Sequence, residues 1–384
     1  LMRVDFHGGF GEKGRTSLGI SEGNSNLLFD AGIKVGAKGR DYYPMIEADA
    51  AAALDAVFIS HAHEDHIGGL AWLWAQGFRG RIAMTAETLA EMPAMLAQYG
   101  EAEHLGALPE LAAHVELFEP GDDITIGGIE VGTGRSGHVA GGVWYAARLE
   151  GRRIVYTADI VPDSAVFAMD PIPACDLLVF DASYGDDAIS GADRAHAIKA
   201  WIEEQSSGCL LPVPLSGKPL ELIAILPERF AVHASMRDAI AAQVSAGNAL
   251  KHGARALLER KLQRAVDWSD GDALPDCPLL TFDGMGSAGP SVEAIAAAAA
   301  QDYPVLLTGH IPANTPASSL HGAGRAAWIR LPTHPTRPAN VKIWHEAGQP
   351  LAVGHSCERG ALQALKAHMP RLDDAIISGD HLFL

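Results

Sequence analysis

Residues 56–70 read AVFISHAHEDHIGGL. The apolar run Ala56–Ile59 has the short, β-branched and aromatic character of a buried strand. Directly after it come His61, His63, Asp65 and His66, ahead of a turn at Gly68 and Gly69. A lone histidine is usually an ordinary satisfied polar residue. Four ligand-type side chains within six positions at a strand end are a metal motif: two imidazoles two residues apart can reach one cation, and the next carboxylate and imidazole a neighbouring one.

A site for two cations draws ligands from several loops, so other strand ends should supply the rest. RSGHVAGG places His138 in a glycine-rich turn, and IVYTADI places Asp159 after a strand, suited to bridging two metals. By itself Asp159 would be read as a turn residue; beside the histidine cluster it is a ligand. Asp30, in LLFDAG, has too short a reach and is expected to orient a ligating imidazole instead.

Around these motifs, strand-like patches dominate up to residue 185, helix-like patterns from 186 to 345, and a strand, helix, strand pattern returns in PLAVG, RGALQALKAHM and DAIISG. This order implies a host domain, 1–185 and 346–384, interrupted by an inserted domain, 186–345. The chain has 384 residues, a formal charge of −18, 48% hydrophobic and 20% charged residues. That composition excludes a disordered chain and a uniformly basic nucleic-acid coat. Residues 1–185 hold 12 basic and 26 acidic side chains, whereas 186–345 hold 14 and 16. Within the insert, Arg260, Lys261 and Arg264 form a local run of cations; such runs are usually solvated helix faces, but a polyanion would land there. Four scattered cysteines suit reduced thiols, and neither a signal-like nor a membrane-length apolar run is visible, so a cytoplasmic protein with no membrane association is expected.

These motifs, in order, resemble the metallo-β-lactamase superfamily, and the insert resembles that of its β-CASP branch, which includes RNase J and the pre-mRNA 3′-end endonuclease. GGFGEKGRTSLGI (8–20) resembles the branch's glycine-rich start, FDASYG its acidic motif at Asp181, GCLLPVPLSGKPLELIAIL the opening of its insert, with Lys218 where the branch usually has Arg, and TFDGMGSAGPSVEAI its Gly-Met strand end. PLAVGHSCERGALQAL resembles its second signature, with the catalytic histidine at His355. Three departures stand out. AIISGDH replaces the closing His-Gly-acid signature, Cys357 stands where an acid commonly follows His355 by two positions, and ANTPASSL replaces a Gly-Arg-rich loop.

The resemblance implies an α/β protein, a four-layer αβ/βα metallo-β-lactamase sandwich with an inserted α/β β-CASP domain. It implies two Zn2+, or Mn2+, held by His61, His63, His138, Asp65, His66 and Asp159, with Asp159 bridging; where the closing signature departs, either His381 completes the second metal's shell by a shifted turn or that metal is weakly held. Asp65, Asp181 and His355 would be catalytic, His355 oriented by Asp181 and stabilising or protonating the developing oxyanion; Lys218, Ser287 and Gly289 would bind substrate. In residues 286–291 (GSAGPS), backbone amides and Ser287 could cradle a phosphate, although such stretches are more often simple turns. The expected activity is a metal-dependent hydrolase, a ribonuclease or exonuclease that cleaves RNA or single-stranded DNA with metal-activated hydroxide; the insert would roof the site into a cleft, and a homodimer is an open expectation. The alternatives are a hydrolase of a small ester, lactone or thioester and a non-catalytic scaffold. The insert speaks against the first and the intact ligand motifs against the second.

Overall fold

The structure, a computed structural model, describes residues 2–384. It separates into two compact units. One comprises the chain through Pro162, Met169–Ala188 and His334–Leu384; the other comprises Asp163–Ala168 and Ile189–Thr333.

The first unit is built on two sheets. The seven-stranded sheet runs, in spatial order, His381–Phe383, Arg3–Gly8, Ser17–Glu22, Ser25–Phe29, Ala56–Phe58, Arg81–Met84 and Val115–Leu117. The six-stranded sheet runs Leu351–His355, Leu177–Asp181, Arg152–Tyr156, Val143–Leu149, Ile129–Arg135 and Asp123–Ile126. Because side chains alternate across a strand, each central strand feeds two cores. Leu27, Phe29, Ala56 and Phe58 meet Val131, Val143, Tyr145, Ile154 and Val179 between the sheets. Leu28, Val57 and Ile82 turn outward onto Leu70, Leu73 and Trp74. On the opposite outer face Leu178 and Phe180 pack against Ile343, Trp344, Leu362 and Leu365. Helices therefore cover both outer faces, giving four layers, and the strands read as continuous apolar runs because both sides are buried. Full burial of a side chain such as Phe58 contributes about 2–3 kcal/mol.

The second unit has a four-stranded parallel sheet, in order Cys209–Pro212, Pro278–Thr281, Ala231–His233 and Val266–Trp268, and a parallel pair, Leu306–Leu307 with Ala327–Trp328.

Two sequence expectations change. The inserted unit ends at Thr333 rather than 345, because the helix Arg337–Glu346 buries Ile343 and Trp344 against the six-stranded sheet. Its amphipathic pattern is that of any surface helix and does not say which core it covers. The final strand is His381–Phe383, not DAIISG. Ser378 and Gly379 make a turn in which Asp380 Oδ2 accepts from the Ile377 amide, 2.9 Å, and Gly379 takes φ +99°.

Candidate metal centre

The loop 61–66 is shaped by its neighbours. The amides of Ala31, Ile33 and Thr16 donate to the carbonyls of His66, Glu64 and Asp65 at 2.8, 3.0 and 2.9 Å. Gly32 makes this approach feasible, since a Cβ there would lie 1.8 Å from the Asp65 carbonyl oxygen. The chain leaves the Ala56–Phe58 strand, passes His61, and starts a short helix, Glu64–Ile67, capped by His63.

Three imidazoles converge there. His63 Nδ1 lies 3.1 Å from both His61 Nε2 and His138 Nε2. Asp159 Oδ2 stands 3.8 Å from His61 Nε2 and 3.7 Å from His138 Nε2. The other carboxylate oxygen, Oδ1, is 3.2 Å from His66 Nε2, which is 3.8 Å from Asp65 Oδ2. Asp159 thus divides its two oxygens between a set of three histidines and the pair Asp65 and His66.

Asp30 sets the proton positions. Its Oδ2 accepts from Ser60 Oγ, His66 Nδ1 and Tyr156 Oη, each at 2.7 Å, and its Oδ1 accepts from the Ser60 amide at 2.7 Å. A carboxylate accepts only, so His66 carries a proton on Nδ1, and Nε2 is the atom it would present to a cation on giving up its other proton. The Ser60 hydroxyl gives its proton to Asp30 and so accepts from His61 Nδ1, 2.9 Å away, which leaves Nε2 of a neutral His61 unprotonated.

Charge follows the same division. Burial, then the surrounding imidazoles, keep His61 far below the usual histidine range; burial also holds His138 there against the pull of Asp159. Burial opposes charge on His66, but Asp159, Asp65 and Asp30 raise it well above the usual value. Asp159, despite burial, is held far below the ordinary carboxylate range by His66 and His334. Among the described residues, His66 Nε2 and Asp159 Oδ1, the 3.2 Å pair, are buried and find no partner of hydrogen-bond geometry. Neutral imidazoles, orphaned polar atoms and surplus carboxylate form a donor set that fits divalent cations.

His334 was not visible as a site residue in the sequence. Its Nδ1 lies 2.8 Å from Asp181 Oδ2 and 3.7 Å from Asp159 Oδ2, and its ring centroid is 5.2 Å from those of His138 and Tyr184. Asp181, expected to orient His355, instead binds His334, the Ser183 amide and hydroxyl and the Ile160 amide. His355 is opposite Asp181 in the neighbouring strand but fully buried, with Nε2 at 3.2 Å from the Ala158 carbonyl and Nδ1 at 3.0 Å from Ser356 Oγ. Parallel pairing aligned the two residues; the side-chain hydrogen bonds did not follow it.

His381 is not brought to the cluster. It sits exposed in an edge strand, paired with Asp5. The expected substrate-binding residues Lys218, Ser287 and Gly289 belong to the second unit. Ser287 and Gly289 are exposed, and the Ser287 amide donates to Asp283 Oδ1 at 3.0 Å. The basic run is also not one face: Lys261 is buried, with Nζ on the carbonyls of Ile223, Ala224 and Leu226 at the end of the helix Lys218–Ile225, while Arg260 and Arg264 pair with Glu228.

Two covered sheets with a histidine and aspartate cluster at their strand ends define a metallo-β-lactamase architecture. Residues 25–248, more than half of the chain, match the family model described as the beta-lactamase superfamily domain, and the chain belongs to that superfamily. Membership implies binding of divalent metal. Its relatives are of the β-CASP type that the ordered motifs resemble. Cleavage and polyadenylation specificity factor 73 of Drosophila melanogaster is 28% identical over 245 residues, 59% of this chain and 36% of that protein. Ribonuclease TTHA0252 of Thermus thermophilus is 28% identical over 175 residues, 43% of this chain and 39% of its own length. Transcription termination factor FttA of Methanothermobacter thermautotrophicus is 28% identical over 250 residues, 59% of this chain and 39% of its own length. The chain thus spans little more than a third of the length of these relatives. A crystal structure of a protein of unknown function from Enterococcus faecalis V583 shares the fold over 100% of both chains, with TM-score 0.63 and 14% identity. Among the described residues no helix is long and apolar enough to cross a membrane.

Proposed function

We propose that this protein is a divalent-metal-dependent phosphodiesterase that cleaves RNA, with two zinc ions as the cations. The observation that carries this reading is the division of Asp159 between two donor sets, supported by relatives named as a ribonuclease and a cleavage factor. His61, His63 and His138 would hold one cation, Asp65 and His66 the other, and Asp159 both. Such a pair, when bound, lowers the pKa of water toward neutrality and neutralises charge on a phosphoryl oxygen.

The protein's own groups do the rest. Asp30 holds the Nδ1 proton of His66 directly and that of His61 through Ser60, so Nε2 of each ring is the atom turned toward the cations. Asp181 accepts from His334 Nδ1, so Nε2 of His334 is the atom that would hold a proton for the leaving oxygen. With about a fifth of its side chain exposed, His334 has the access that fully buried His355 lacks. In this reading Asp65 and Asp181 retain the catalytic roles expected from the sequence, His355 becomes a supporting residue behind them, and His381 has no ligand role. Lys218, Ser287 and Gly289 remain candidates for substrate contact. Manganese in place of zinc, single-stranded DNA in place of RNA, a cytoplasmic setting and pairing of two copies are companion expectations.

The test is purified protein supplemented with zinc or manganese, analysed for metal content and challenged with end-labelled RNA and DNA of defined 5′ end beside an ester panel. Metal bound in amounts above one ion per chain, unchanged in His381→Ala, together with RNA cleavage supports the proposal. Less than one metal per chain, or turnover of a lactone or thioester with RNA left intact, overturns it.

A further inference from the structure

In the first unit, the helix Ala86–Tyr99 is followed by a turn through Glu101 into a one-turn helix, Ala102–Leu105. The His104 amide donates to the Glu101 carbonyl at 2.9 Å, and residues three apart on a helical turn share a face, so the side chains of Glu101 and His104 meet. His104 Nδ1 lies 3.7 Å from Glu101 Oε2, and Nε2 of the same ring lies 3.5 Å from Glu103 Oε1. Each of the three residues brings a ligand atom within 4.8 Å of the other two.

Two carboxylates beside an imidazole could be no more than surface ion pairs, worth about 0–1 kcal/mol. The spacing speaks against that. An imidazolium draws a carboxylate into hydrogen-bond contact, as His66 and Asp30 show at 2.7 Å. Here both separations are too long for a hydrogen bond, and among the described residues the buried Nδ1 of His104 has no hydrogen-bond partner. They are instead the spacing of donors that share a cation, since two ligand atoms each about 2.1 Å from zinc stand about 3.4 Å apart at a tetrahedral angle.

The surroundings fit the same purpose. The His104 side chain is 10% exposed, so its ring is held by packing, whereas Glu101 and Glu103 are 55% and 77% exposed and leave an ion a route from solvent. Among the described residues neither carboxylate pairs with a lysine or arginine. Glu101 Oε2 accepts from Tyr43 Oη at 2.8 Å, and the Tyr43 ring stacks on Trp72 with centroids 4.6 Å apart and planes 6° from parallel. A hydroxyl anchored in this way is the kind of outer partner that fixes a ligating carboxylate.

We propose that Glu101, Glu103 and His104 form a separate divalent-cation site, one that takes zinc. The imidazole ligand selects zinc over magnesium and calcium, which prefer oxygen donors throughout. An ion there would clip the one-turn helix, through Glu101, to the loop that carries Tyr43. The role is structural and does not depend on the nuclease reading.

The experiment uses the full chain, equilibrated with zinc and freed of excess. Zinc per chain is measured by elemental analysis and zinc affinity by competition with a chromophoric chelator, for the wild type, His104→Gln and Glu103→Gln. Glu103→Gln changes a largely exposed side chain without altering its shape, so it decides the matter if His104→Gln does not fold. His104→Gln should retain one zinc fewer per chain than the wild type, and Glu103→Gln should bind that same ion about tenfold or more weakly. Equal zinc content and affinity in all three proteins overturns the proposal. So does release of the extra ion by excess magnesium, the behaviour of an acidic cluster that holds any dication loosely. A protein that keeps this ion but cleaves no RNA would overturn the nuclease reading alone.

Discussion

Replacing Asp30 by Asn tests the hub behind the metal centre. The carboxylate is fully buried and accepts four hydrogen bonds, three on Oδ2 and one on Oδ1. An amide has one accepting end. Turned one way, its NH2 would face the three donors from Ser60 Oγ, His66 and Tyr156; turned the other, it would face only the Ser60 amide, which is the lesser conflict. In that orientation the Ser60 N–H is left unsatisfied, at about 1–3 kcal/mol, and three bonds to a charged acceptor become bonds to a neutral one, at about 1 kcal/mol each. Asp30→Asn should therefore lose about 4–6 kcal/mol, a large share of the stability of an ordinary domain. It should also loosen the proton placement on His66 and His61, weakening metal binding by about 10–100-fold. Denaturant unfolding of the metal-free protein reads the first effect, and zinc competition against a chromophoric chelator reads the second. A variant within about 1 kcal/mol of the wild type, with equal zinc affinity, would refute the idea that Asp30 organises these imidazoles.

Two further outcomes follow from the same geometry. His334→Ala should lower kcat on RNA by about 100–1,000-fold at unchanged metal content, the scale of a positioned proton donor, whereas His355→Ala should lose about 2–4 kcal/mol of stability by opening a cavity and stranding the Ala158 carbonyl; the reverse pattern in paired kinetic and unfolding measurements would restore His355 to the chemistry. For Lys218, the folded pKa of about 7 lies below the ordinary 10.5, so the unfolded chain holds the extra proton between those values and stability should rise with pH across that window. The full shift corresponds to about 4–5 kcal/mol; unfolding should show the wild type gaining on Lys218→Met from pH 7 toward 10, and a constant difference would contradict a buried ammonium whose one hydrogen bond is to the Thr308 carbonyl.

Much of the metal centre was legible because its signals are local. His61, His63, Asp65 and His66 lie in one loop after one apolar strand, and the strand patterns ending near His138 and Asp159 require only their own neighbours to be read. Asp30 was recognised as an orienting residue from its place at the end of LLF, although its bonds to Ser60 and Tyr156 depend on strands brought together from distant parts of the chain. The host-and-insert organisation followed from the order of strand-like and helix-like segments and the fold class from the resemblance of the ordered motifs, and both-sided burial explains why those strands read as unbroken apolar runs.

What the sequence alone determined was therefore the chemical kind of the ligand cluster and the alternation of strands and helices, since loop spacing and strand pattern are properties of neighbouring residues, and, through the resemblance of its ordered motifs, the superfamily architecture. Only the tertiary structure decided which charged groups face one another. His334 gave no signal, being one histidine in an irregular loop, 153 positions from the Asp181 that holds it. His381 had the right residue type, but an intervening turn leaves it exposed on an edge strand. Lys261 lay in an apparent basic face until the packing of its helix turned it onto three backbone carbonyls. Each of these outcomes depends on long-range pairing and burial, which fix the partner of a polar side chain after the strands and helices have found their neighbours.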